Sequence, residues 1–169
     1  MAQRQPLRLP VVSLGAEHLV MGYLMRRNIL AYKAPPNNEG YEILCIHPDP
    51  KKVTKQLRVQ VKSRYQTDCD RAFLIRGAAL EGCDYVIGVF QNIGYFFGQR
   101  YEPGGVEPPE FYTLPRDFVR AHHKKAPSGF DKLRTKHLKL EPFKNEKGFE
   151  LIARDLGIEY PTRRSRRMA

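Results

Sequence analysis

Tryptophan is absent from the 169-residue chain, and cysteine occurs only as Cys45, Cys69 and Cys83. An odd count without C-x-x-C spacing excludes a zinc ribbon and a paired redox motif. Cys45 lies in an apolar run, where a thiol acts as a small buried side chain, and the set fits a reducing, cytoplasmic setting. No segment approaches the ~18 apolar residues that mark a membrane span. The opening MAQRQPLRLPVV has no apolar core of signal-peptide length. A soluble, intracellular protein without a membrane partner is therefore expected. P-loop, Rossmann glycine and Ser-His-Asp signatures are also missing.

Acid is the other shortage. Asp and Glu total 18 against 29 Lys and Arg, a net charge of +11. Each cation placed on a phosphate releases condensed counterions, so a polyanion is the natural partner. A basic surface that binds nothing specific is the competing reading.

What is present reads as one α/β domain. Ser13 is placed to cap a helix from Leu14, with Leu19, Val20, Tyr23 and Leu24 at helical spacing and Arg26 and Arg27 in the last turn. Residues 29–34 read as a strand and 35–40 as a loop. Residues 41–47 form an apolar strand, and 47–52, with two prolines, a turn. Leu57, Val59 and Val61 alternate with Arg58, Gln60 and Lys62, a half-buried strand that completes an antiparallel hairpin. Residues 73–75 fit a strand or a helix equally. Residues 84–90 and 111–114 read as strands, 91–109 as a loop around a short strand at 95–97, and Pro115 as a helix start. Residues 122–137 read as a basic, mobile stretch. Asn145 is expected to cap a last helix that Gly157 ends. The boundaries are an extension over 1–12, a domain over 13–160 and a disordered basic tail over 161–169.

Hydrolysing a phosphodiester at neutral pH usually calls for a divalent cation, oxygen ligands and a nearby ammonium. Gln60 and Lys62 share a strand face. Glu42 joins that face only if paired residue numbers in the hairpin sum to an even value, as with 42 opposite 60 or 62. Asp49 is a turn residue, on the order of 25 Å along the strand from Lys62.

The run Gly40-Tyr41-Glu42-Ile43-Leu44 followed by Val59-Gln60-Val61-Lys62-Ser63 resembles the core of the PD-(D/E)XK nuclease superfamily in a Q-x-K variant. Gly15-Ala16-Glu17 on the preceding helix resembles the first helix of its Holliday-junction-resolvase-like and homing-endonuclease-like branches. The resemblance covers roughly residues 13–115. It implies a restriction-endonuclease-like mixed sheet flanked by helices and a Mg²⁺- or Mn²⁺-dependent endodeoxyribonuclease that leaves 5′-phosphates. Glu42, Gln60 and the Val61 carbonyl would hold metal, Lys62 would serve catalysis and Glu17 would assist. Two positions depart from the pattern: Glu42 stands where aspartate is usual, and Gln60 replaces an acid and brings no charge. DNA is the implied partner, with Lys51, Lys52, Arg58, Arg64, Lys124, Lys125 and Arg164 as expected phosphate contacts and a homo-oligomer as the expected assembly. Two other readings compete: a nuclease fold that binds DNA without cutting it, and a basic RNA-associated protein.

Overall fold

The computed structural model describes residues 11–36, 38–65, 71–93, 95–96, 99–100, 107–125, 127 and 131–160. In chain order the elements are α1 (Val12–Met25), β1 (Leu30–Lys33), β2 (Ile43–Ile46), β3 (Leu57–Arg64), β4 (Ala72–Leu74), α2 (Gly77–Glu81), β5 (Tyr85–Phe90), β6 (Tyr95–Phe96), β7 (Gln99–Arg100), β8 (Glu110–Pro115), α3 (Arg116–His122), β9 (Lys132–Arg134) and α4 (Asn145–Asp155). Five strands form one mixed sheet in the order β1-β2-β3-β5-β8. Only the β3–β5 pair is parallel. The pairs β4–β9 and β6–β7 are separate two-stranded ribbons.

All six residues of β5 are buried, as expected of a strand covered on both faces. Tyr85, Ile87 and Val89 join the core beneath α1 and α4, with Ala16, Val20, Leu24, Phe149 and Ile152. Val86 and Phe90 join the opposite core with Phe73, Leu133, Val119 and Leu80. Between Val86 and Phe90 stands Gly88, where an added Cβ would lie 2.7 Å from the Phe73 ring. The missing side chain leaves room for the Phe73 ring against β5 and lets the β4–β9 ribbon pack close to the sheet. The expected fold, an α/β mixed sheet flanked by helices, is present.

Several local expectations are corrected. Helix α1 begins at Val12, has Val11 at its N-cap position and receives no side-chain cap. Its first turn closes by Gly15 N–H to the Val11 carbonyl at 2.8 Å, which leaves Ser13 exposed inside the helix. Arg26 is the C-cap residue, so neither Arg26 nor Arg27 occupies the last turn. Instead, Arg27 bonds Glu146 on α4 and the Tyr160 hydroxyl, a tertiary partnership that outweighs the helix dipole. Asn145 does not cap α4: its Oδ1 accepts from Phe111 N–H at 2.9 Å, and the backbone there has φ 47°. Gly157, at φ 70°, follows the Leu156 C-cap as expected. Residues 73 and 74 belong to a strand. The stretch 122–137 contains β9, with Lys124 bridged to Lys132 beside it. Asp49 accepts from Lys51 N–H at 2.9 Å in a short 3₁₀ turn, in keeping with its reading as a turn residue. Cys45 and Cys83 are free and buried. Burial pushes the Cys45 thiol up to about 12. Burial, and then the neighbouring Asp84, push Cys83 up to about 11, so both remain thiols at neutral pH. Cys69, residues 1–10 and the 161–169 tail lie outside the described residues.

Candidate functional site

The β2–β3 register pairs Ile43 with Val59 and Cys45 with Leu57. These numbers sum to 102, the even parity on which Glu42 would stand opposite Gln60 if the ladder ran on regularly by one more residue. The paired residues end at Ile43, and Glu42 leaves that register: its N–H reaches the Val59 carbonyl at 3.0 Å, one residue out of step, while its carbonyl accepts from Ala34 N–H at 2.8 Å. Beyond that point β2 stops, while β3 runs on through residues 60–64 against β5 alone. The Glu42 carboxylate takes the place of the missing strand, with Oε2 accepting from Val61 N–H at 2.6 Å.

The same alternation fixes the Val61 carbonyl. Arg58 and Arg64 offer their carbonyls to β5-side donors, Asp84 N–H and Gln91 N–H, whereas Val59 offers its own to Glu42. Two residues along from Val59, the Val61 carbonyl points to the same open edge. A cleft of about 370 Å³ opens there, lined by Ser13 and Glu17 of α1, Glu42, Val61 to Arg64 of β3, and Phe73 and Leu74 of β4. Four of the expected site residues, Glu17, Glu42, Val61 and Lys62, thus line one cleft. The fifth, Gln60, is 3% exposed and does not line it. Its Oε1 is buried with no hydrogen-bond partner. An unsatisfied buried acceptor costs on the order of 1–3 kcal/mol, so its retention beside the Glu42 position needs a reason.

Lys33 completes the picture. It sits at the end of β1, opposite Ile43, and its ammonium is paired with Glu17 Oε2. Sequence reasoning missed it, because a lysine on an edge strand reads as protection against aggregation. Phe73 and Leu74 were missed as cleft walls for a similar reason: only the Gly88 contact reveals where their strand lies. Among the described residues no three His, Cys, Asp or Glu side chains cluster as a metal site. The cleft instead offers the carboxylates of Glu17 and Glu42 and the edge of β3 at Val61, with the Gln60 amide oxygen buried outside its lining.

The other expected phosphate contacts are scattered. Lys51 and Lys52 are exposed in the turn at the far end of the hairpin, at least ~16 Å along the strand from Lys62. Arg58 forms two guanidinium bonds to Asp84, at 3.1 and 3.2 Å. Burial alone would raise the Asp84 carboxyl, but the bonds and charge of Arg58 outweigh it and hold the carboxyl below its ordinary value. Arg64 lines the cleft and donates to the Ala72 carbonyl at 2.8 Å. Lys124 and Lys125 are exposed. Arg164 lies outside the described residues. No helix among those residues is long and apolar enough to cross a membrane.

No protein-family model matches the chain, and no curated protein matches it in sequence. Among solved structures it is similar to a bacterial homing endonuclease, I-Ssp6803I, with a TM-score of 0.52 and 13% identity over 89% of this chain and 94% of that one. The likeness is one of fold, across nearly the whole of both chains. The architecture is nuclease-like: a five-stranded mixed sheet flanked by helices.

Proposed function

We propose that the protein is a metal-dependent endodeoxyribonuclease of the PD-(D/E)XK type. The observation that carries this reading is the bond from Val61 N–H to the Glu42 carboxylate at 2.6 Å. It supports a site at the open strand edge, where Glu17, Glu42, Val61 and Lys62 line one cleft.

The donor set suits a hard divalent cation, which takes one or two carboxylates and fills its shell with water and phosphate oxygens. Glu42, the Val61 carbonyl and the unpartnered Gln60 Oε1 would hold it, the last gaining the partner it lacks. A bound cation supplies activation of water and neutralises charge on the phosphate. Lys62, two residues beyond Gln60 on the same face, sets its ammonium against the phosphoryl oxygens and stabilises the charge that builds there. Glu17, across the cleft and steadied by Lys33, orients the attacking water. Water adds to phosphorus, the 3′-oxygen leaves, and the products end in 5′-phosphate. Lys33, Lys62 and Arg64 outnumber the two cleft carboxylates, so the free protein holds a cation weakly and DNA phosphate completes the site.

Cleavage of supercoiled, branched and single-stranded DNA, with Mg²⁺, Mn²⁺ or EDTA, tests the proposal. Cutting should require metal, and Lys62→Ala should slow it by about 10²- to 10³-fold while DNA binding persists. Tight DNA binding with no cutting under any metal would leave a nuclease fold that only binds. Stronger binding to structured RNA would favour the RNA-associated reading.

A further inference from the structure

We infer that the outer face of the β4–β9 ribbon is the docking surface for the backbone of duplex DNA as it leaves the cleft. The inference takes its polymer from the proposed function but stands on different residues. Strand β9 buries Leu133, and Thr135 just after it is also buried. Between and beyond them, Arg134 and Lys136 are exposed and Lys132 half-buried. Alternation therefore sends Lys132 and Arg134 to one side, ~6.6 Å apart, about the rise of two base pairs, and Lys136 follows in the turn after the strand. The neighbour across the ribbon is Leu74, 45% exposed and also a wall of the cleft. The cationic row thus begins where the cleft ends.

A second observation points independently to an anion. Lys124 and Lys132 are paired by two backbone hydrogen bonds of 3.1 Å. Residues directly opposite on an antiparallel bridge carry their side chains on the same face, with Cβ atoms ~5.5 Å apart, and like charges there are destabilising. Asp131, the adjacent carboxylate, accepts from Gly77 N–H at 3.1 Å and lies 4.0 Å from His123. Among the described residues Lys124, Lys125, Lys132, Arg134 and Lys136 make no ion pair. A phosphate backbone laid along the row removes the repulsion that the fold otherwise bears.

Duplex binding is measured against salt in EDTA, so that no cutting occurs, for the wild type and two charge-matched triple variants. Lys132→Gln/Arg134→Gln/Lys136→Gln should make the slope of log affinity on log salt shallower by about 2 to 3. Arg26→Gln/Lys147→Gln/Arg154→Gln, on α4 and at the end of α1 and so on the sheet face opposite the ribbon, removes the same charge and should leave the slope nearly unchanged. Lys124→Gln alone should raise the melting temperature while weakening DNA binding. Equal losses in the two triple variants would reduce the effect to net charge and overturn the inference, as would an unchanged slope in the ribbon variant. A structured RNA that outcompetes duplex DNA would overturn it too. If the ribbon triple fails to fold, Lys132→Gln and Arg134→Gln singly should each cost about one unit of slope. Failure to cut DNA with this slope pattern intact would sink the nuclease reading and leave the ribbon standing.

Discussion

Around α4, Arg27, Lys144 and Lys147 each end on a carboxylate: Glu146, Glu110 and Glu141. Along the β4–β9 ribbon, Lys132, Arg134 and Lys136 end in no ion pair among the described residues, and Lys124 faces Lys132. Both regions are basic, yet their charge does different work. A cation with a carboxylate partner ties elements together: Arg27 also lies 4.7 Å from the Phe149 ring centroid and bonds the Tyr160 hydroxyl at 2.7 Å. On the proposed reading, a cation without one is held ready for phosphate. On that reading the net charge of +11 is a poor guide to where nucleic acid would lie, and pairing is a better one.

The comparison can be broken most sharply at the cleft. Glu42→Gln keeps an oxygen for Val61 N–H and loses the charge, so cleavage should fall by about 10²- to 10³-fold with the denaturation midpoint almost unmoved. Parallel unfolding and plasmid-nicking assays check both. Glu42→Ala should instead cost ~1–3 kcal/mol as well, because Val61 N–H is left without its partner.

In the α4 region the effects should fall on stability alone. An added Cβ at Gly148 would lie 2.2 Å from the Phe143 carbonyl and 2.9 Å from Thr113, so Gly148→Ala should destabilise by about 3 kcal/mol in urea titration. Arg27→Ala should cost ~2 kcal/mol through its charge-assisted bonds and stacking. It removes one positive charge, yet the salt slope of DNA binding should not change. A slope shallower by one would place Arg27 in the DNA path and erase the contrast between the two regions.

The smallest effect is expected at Arg58–Asp84, a partly exposed pair worth about 1 kcal/mol. The Asp84 carboxyl is held below its ordinary value in the folded protein. Its stabilisation is therefore complete above the unfolded-state value and is lost as pH falls through the folded-state one. Thermal melts of Asp84→Asn should sit below wild type at pH 7, with the gap closing below about pH 4. A gap that widens in acid would contradict the pairing.

Much of this arrangement was legible in the chain. The alternation from Leu57 to Lys62 specifies which residues face together, and the strand-turn-strand order makes the hairpin. The register of that hairpin is then one of two parities, and only tertiary structure chooses between them. Local signals misled where distant partners intervene. Ser13 and Asn145 both look like helix caps, but the first turn of α1 closes without Ser13, and Asn145 spends its side chain on Phe111 N–H. The basic stretch 122–137 gave no hint of β9, because a three-residue strand is specified by its partner, Phe73 packed on Gly88, more than by its own composition. Lys33 was invisible because its meaning comes from Glu17, sixteen residues earlier and on another element.

Manganese binding speaks most directly to the claim that the buried Gln60 oxygen is kept for a cation. Paramagnetic resonance can follow Mn²⁺ in the presence of a short duplex for the wild type, Gln60→Glu and Gln60→Leu. Affinity should rise with the added charge of Gln60→Glu and fall by tenfold or more when Gln60→Leu removes the oxygen at similar volume. If Gln60→Leu binds Mn²⁺ as tightly as the wild type, that oxygen is no ligand, and the metal site drawn at the open edge of β3 is wrong.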